Sequence, residues 1–121
     1  LHDALPIWRK MSGNIEIARQ YLAAYAAKDL TRIASLISKD VALQDWNIAG
    51  EGADFFLTQT DLNFQAATNI EIRIKSLHES SNAVAAELQI FLNNGTEEIH
   101  VVDVISIDSS NQISAVRAYK G

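Results

Sequence analysis

The chain has 121 residues, the size of one domain, and its 10 Lys and Arg against 15 Asp and Glu give a formal net charge of -5. That balance argues against a nucleic-acid binder, which needs a basic footprint to neutralise phosphates. Apolar residues at 48% and charged residues at 21% exclude an intrinsically disordered chain, and no cysteine is present for a disulfide, a thiolate metal site or a thiol nucleophile. The three histidines stand too far apart for a helical metal motif, so no metal is expected. No apolar run approaches the ~18 residues of a membrane span, so no membrane partner is expected.

The first ten residues, LHDALPIWRK, precede Met11-Ser12-Gly13-Asn14, which reads as a natural start. Residues 1–10 are therefore expected to be a non-native leader and residues 11–121 the domain. They lack the basic start and apolar stretch of a secretion signal, and a cytoplasmic location is the default expectation.

Ile15, Ala18, Tyr21, Leu22 and Tyr25 recur at helical spacing and predict a helix over 15–27, with Asn14 as its N-cap. Asp29 can cap a second helix carrying Leu30, Ile33, Ala34 and Ile37, which ends near Ser38-Lys39-Asp40. Residues 41–46 read as a short strand, and Gly50 and Gly52 break the chain. A third helix over 53–66 turns Phe55, Phe56, Leu62 and either Gln59 or Phe64 inward.

After Thr68 the period falls from 3.6 to 2. Ile70, Ile72 and Ile74 alternate with charged residues, and His78 to Asn82 reads as a polar turn. Val84, Ala86, Leu88, Ile90 and Leu92 share a face of the next strand. Asn93-Asn94-Gly95 signals a hairpin, because Asn and Gly tolerate positive φ. Residues 97–107 form a long strand, and residues 112–119 the last. The expected class is α+β: three N-terminal helices packed on one face of a curved, mostly antiparallel sheet.

Along the long strand, one face reads Ile99, Val101, Asp103, Ile105 and Ile107, so Asp103 is the only polar group on an apolar face. A buried carboxyl responds with a raised pKa and becomes a neutral O–H donor. An Asp that accepts hydrogen bonds from a neighbour, or a register that exposes this face, would also fit. Asp45 follows Val41 and Leu43 at the end of a short strand, where it can reach a cavity mouth or be an ordinary strand-end residue. Tyr21 and Tyr25 lie in the first helix's apolar stripe, as core residues or with hydroxyls in need of a partner. Two carboxyls with divergent pKa values and a phenol around one pocket would supply a general base and an oxyanion site.

At these residues the sequence resembles the bacterial ketosteroid isomerases, of the wider nuclear transport factor 2-like (SnoaL-like, cystatin-like) superfamily. Within residues 21–45, Tyr21, Asp29-Leu30, Asp40 and Asp45 fall at that family's spacing. Asp103 stands four residues before Ile107 and fourteen before Arg117, as the family's oxyanion Asp does in its last hairpin. The resemblance spans residues 14–121. It implies a cone-shaped pocket and a cofactor-free isomerase acting on a small apolar ketone. Asp45 would be the base, with Tyr21 and protonated Asp103 as the oxyanion hole; the pocket would be lined by Tyr25, Trp46, Phe55, Phe56, Val101 and Ile105. Trp46 replaces the family's Pro after the base, and the loop to Gly52 is shorter. A polyketide cyclase of the same fold, or a ligand-binding dimeric domain without chemistry, are the alternatives. The Asp-Arg-Asp set of the fold's epoxide hydrolases matches poorly, because Arg73 lies on a charged strand face. The paired histidines of its dehydratases match poorly too, with His78 in a turn and His100 opposite Asp103. A homodimer is expected through the outer sheet face, where His100, Val102, Val104, Val116 and Ala118 form a partly apolar surface.

Overall fold

In the computed structural model, the structure describes the backbone of residues 7–121 and the side chains of residues 13–121. The leader expected over residues 1–10 lies outside the residues whose side chains are described. Helix α1 (Ile7–Ala26) is followed by α2 (Leu30–Leu36), β1 (Ile37–Gln44), β2 (Ala49–Glu51), α3 (Ala53–Ala66), β3 (Ile70–Glu79), β4 (Ala83–Leu92), β5 (Glu97–Ile107) and β6 (Ile113–Lys120). The strands form one open sheet in the order β2-β1-β6-β5-β4-β3. Every pairing is antiparallel except β1 with β6. Helix α1 lies across β3 and β4, and α3 packs on β1, so the helices cover one face of the sheet. No helix among the described residues is long and apolar enough to cross a membrane.

Helix α1 begins well before the expected 15, and Asn14 is a buried interior residue rather than its N-cap. The helix runs on through Gly13, which disfavours a helix by about 1 kcal/mol but does not stop it, and the Asn14 side chain donates to the Ser81 carbonyl at 3.1 Å. The helix ends as the sequence suggests. Lys28 adopts φ 56°, its amide bonds the Tyr25 carbonyl at 3.0 Å, and the Asp29 amide bonds the Ala24 carbonyl at 2.8 Å. This Schellman-type closure satisfies carbonyls the helix leaves free. Lys28 Nζ then bonds the Ala67 carbonyl and, at 3.2 Å, that of Thr68, which ties the end of α1 to the end of α3.

Asp29 caps α2, accepting from the Arg32 amide at 3.0 Å. Ile37 was expected inside that helix but opens β1, opposite Ile113 in the parallel pair. A β-branched residue with a buried strand partner outweighs one more position of helical periodicity. Strand β1 therefore starts earlier than expected and stops at Gln44, leaving Asp45 and Trp46 in a turn. The Gly50–Gly52 stretch is more than a break, because Ala49–Glu51 pairs with β1. The Phe55 ring lies over Gly50 so closely that a Cβ there would come within 2.6 Å of it.

In α3 the buried stripe is Phe56, Thr60 and Phe64, four residues apart. Leu62 was expected inward, but two residues from Thr60 and Phe64 it falls on the far side and is 52% exposed. Strand β3 runs through His78 to Glu79, into the turn expected from His78 to Asn82. A register shift between Ile74 and Ser76 restarts the alternation, so Ile74 and Leu77 both pack against the core. The β4–β5 hairpin forms where expected, with Asn93, Asn94 and Gly95 at φ 55°, 59° and 83°.

Phe56 is fully buried, its ring edge-on to Tyr21 at 6.2 Å. Phe56→Ala should therefore cost about 3–5 kcal/mol of stability in urea unfolding. Leu62→Ala should stay within about 0.5 kcal/mol. Equal losses for the two would contradict the inward face described.

Candidate active site

Helices and sheet enclose a cavity of about 520 Å³, within the ~300–1,000 Å³ range of small-molecule sites. Its floor comes from the sheet face that carries Leu88, Ile90, Ile99, Val101 and Val116. Tyr21, Tyr25, Asp45 and Asp103 all line it, together with Trp46.

Asp103 enters from the middle of β5. Its neighbours across the ladder are Ala86 on β4 and Ala118 on β6, and buried Val101 and Ile105 stand two residues away along the strand. Two methyl groups beside the carboxyl offer no hydrogen bond and leave space above it. Burial alone pushes its pKa up to about 7, because the charged form loses water without gaining a partner. Tyr21, one face of α1 above, is 3% exposed. Its pKa is raised well above the phenol's ordinary value by burial, then by the Asp103 charge, then by Tyr25. Below about pH 7 the cavity thus holds two neutral O–H donors.

Asp45 sits where β1 ends. Its amide donates to the Ile48 carbonyl at 2.9 Å. Its Oδ1 accepts from the Asn47 and Ile48 amides at 2.7 and 2.8 Å. Aspartate at a strand end closes such a turn readily. These bonds fix one oxygen and leave Oδ2 available to the cavity. Trp46, 46% exposed, stands beside it, with Lys120 Nζ 5.7 Å from its ring centre.

Tyr25, one turn after Tyr21, has its ring edge-on to Phe64 at 5.0 Å and accepts from Asn63 Nδ2 at 3.1 Å. Burial raises its pKa, the Asn63 bond opposes this, and the Asp103 and Asp45 charges add to the rise.

Three residues expected at the pocket lie elsewhere. Phe55 packs on Gly50, Phe56 is sealed behind Tyr21, and Ile105 is wholly buried in the core. Val116 and Ala118 were expected on the outer face but line the cavity. Opposite Ile105 and Asp103 in the β5–β6 register, they must share the inner face. The outer face instead shows Val102 paired with Tyr119, 36% and 51% exposed.

Gln59, one of the two alternatives for an inward residue of α3, lines the cavity, and the polar residues Asn47, Asn63, Asn93 and Glu97 beside it at the mouth were not foreseen. Gln59 and Asn63 stand four apart on α3, beside the buried stripe, and that spacing was the available signal. No arginine or histidine lines the cavity among the described residues. Arg73 pairs with Glu71 at 2.7 Å and stacks 4.5 Å from the Phe91 ring, while His100 pairs with Glu98. No group of three or more His, Cys, Asp or Glu side chains among the described residues could hold a metal ion.

A family model described as a SnoaL-like domain matches residues 18–116. No curated protein matches the chain by sequence. Among solved structures, a provisionally named ketosteroid isomerase from Kribbella flavida superposes with a TM-score of 0.80 at 16% identity, over 93% of this chain and 80% of that one. A provisionally named SnoaL-like polyketide cyclase from Jannaschia sp. reaches 0.80 at 13% identity, over 99% and 91%. An epoxide hydrolase of M. tuberculosis, of the LEH-like kind, reaches 0.78 at 18% identity, over 93% and 85%. At these identities the likeness shows the shared fold.

Because Asp103 has a higher pKa in the folded chain than the ~3.9 of an unfolded Asp, the folded state holds its proton longer. Asp103 therefore costs no stability below about pH 4, costs progressively more as pH rises to about 7, and costs a constant amount above that. Urea unfolding of wild type and Asp103→Asn across this window should show wild type losing stability relative to the variant, then levelling. A constant difference would contradict the assignment.

Proposed function

The chain belongs to the SnoaL-like domain family, and we propose that it is a cofactor-free enolising enzyme, acting on an apolar ring ketone as a double-bond isomerase. The observation that carries this reading is the Asp103 carboxyl, raised toward neutrality and facing the cavity that Tyr21 and Asp45 also line. Asp45, through Oδ2, takes a proton from the carbon between the ketone and a β,γ double bond. The electron pair left behind delocalises onto the carbonyl oxygen. Tyr21 and protonated Asp103 donate hydrogen bonds to that oxygen as its charge develops. Asp45 then returns the proton at the γ carbon, and the double bond comes into conjugation. The apolar floor replaces water around the ring system, which strengthens both hydrogen bonds.

A second reading keeps the same base and oxyanion site. In a polyketide cyclase the enolate carbon attacks another carbonyl of the same chain, whose C=O π bond opens as the ring bond forms, and Asp45 returns its proton to the resulting alkoxide in place of γ-protonation. The polar mouth, suited to a substrate with several oxygens, supports it, as do the structural neighbours that carry that name.

A homodimer through the outer sheet face belongs to this proposal, with exposed Val102 and Tyr119 at its centre. Light scattering at micromolar concentration should give twice the chain mass, and a monomer would contradict it.

Conversion of a Δ5-3-ketosteroid, followed by the absorbance of the conjugated product, tests the isomerase. Asp45→Asn should lower the rate by about 10²–10⁴, and Tyr21→Phe by about 10²–10³. No conversion by wild type, or a rate unmoved by Asp45→Asn, would overturn it.

A further inference from the structure

Tyr25 is the cavity phenol that the isomerisation leaves unused. Its oxygen already accepts a hydrogen bond from Asn63 Nδ2 at 3.1 Å. A phenol that accepts from one partner keeps its own proton to donate. Phe64 edge-on at 5.0 Å and Tyr21 at 6.1 Å hold the ring from two sides, so the hydroxyl has little freedom to turn away. Tyr25 and Tyr21 project from one face of α1, four residues and about one helical turn of ~5.4 Å apart. Tyr21 is buried at the inner end, while Tyr25 is half-buried and its partner Asn63 is exposed at the mouth. Tyr25 lines the same cavity as Asp45 and Asp103.

We propose that Tyr25, positioned by Asn63, is a second hydrogen-bond donor of the cavity and selects ring ketones carrying a further oxygen acceptor about one helical turn from the first. The inference rests on the proposed enolising site for the placement of the first carbonyl at Tyr21 and Asp103. The substrate class narrows accordingly from apolar ketones to diketones and ketones with a second ring oxygen. A ligand with that oxygen gains a hydrogen bond from Tyr25 that a monoketone does not.

The test is calorimetric binding of a decalin monoketone and of the ring diketones of the same skeleton. For wild type, at least one diketone should bind about tenfold more tightly than the monoketone. Tyr25→Phe should erase that ratio while leaving monoketone affinity within about twofold, and Asn63→Ala should reduce it. Unfolding midpoints of the variants check that each remains folded, and a merely structural Tyr25 would lower both affinities together. No diketone preference, or a preference that survives Tyr25→Phe, overturns the proposal. Monoketone binding that ignores Tyr21→Phe and Asp103→Asn, beside a Tyr25-dependent diketone ratio, overturns the oxyanion site and leaves the Tyr25 assignment standing. No binding of any ketone to wild type overturns both.

Discussion

The Asp103 carboxyl projects from the concave face of β5 into the cavity, and burial rather than any charged partner sets its pKa. A carboxylate in that setting loses hydration and gains nothing in exchange, so the proton stays on to about pH 7. The group has been changed by its surroundings from an acceptor into a donor. The surroundings are built by strand parity: with Val101 and Ile105 buried on either side, Asp103 cannot turn to solvent without carrying β5 with it. Ala86 and Ala118 across the ladder complete the arrangement, since larger side chains there would fill the cavity and polar ones would pair with the acid.

The remainder of the fold brings two further groups to that point. The helix stripe of α1 sends Tyr21 down onto the same face, and Phe56 braces its ring from α3. The parallel pairing of β1 with β6 carries the chain past the sheet floor and releases it at Gln44, where the turn closed by Asp45 begins. The turn's two amide bonds leave one carboxylate oxygen to work with. The two acids are thus treated oppositely: Asp103 is stripped of partners, and Asp45 is held by them. In the proposed chemistry the first donates a hydrogen bond to the substrate oxygen and the second takes the proton.

Much of this was legible in the sequence because it depends on period. Strict alternation in β5 marks Asp103 as misplaced before any contact is known, and α3 starts and stops where Gly52 and Ala67 bound its pattern. The Asn-Asn-Gly turn is similarly local. What was not legible depends on partners distant in the chain. Ile37 leaves α2 because Ile113 is there to pair with it. Val116 and Ala118 face inward because β6 is registered on β5, which period alone cannot fix. Phe55 and Phe56 were indistinguishable as apolar neighbours, yet one covers Gly50 and the other seals the core. The Tyr25–Asn63 pair spans 38 residues, beyond any local signal.

The central claim is that burial keeps the Asp103 carboxyl protonated up to about pH 7. Carbon-13 NMR of the Asp103 carboxyl, assigned by its disappearance in Asp103→Asn, measures this directly. The account predicts a titration midpoint at about 7. A midpoint near the ordinary aspartate value of about 3.9 would contradict it.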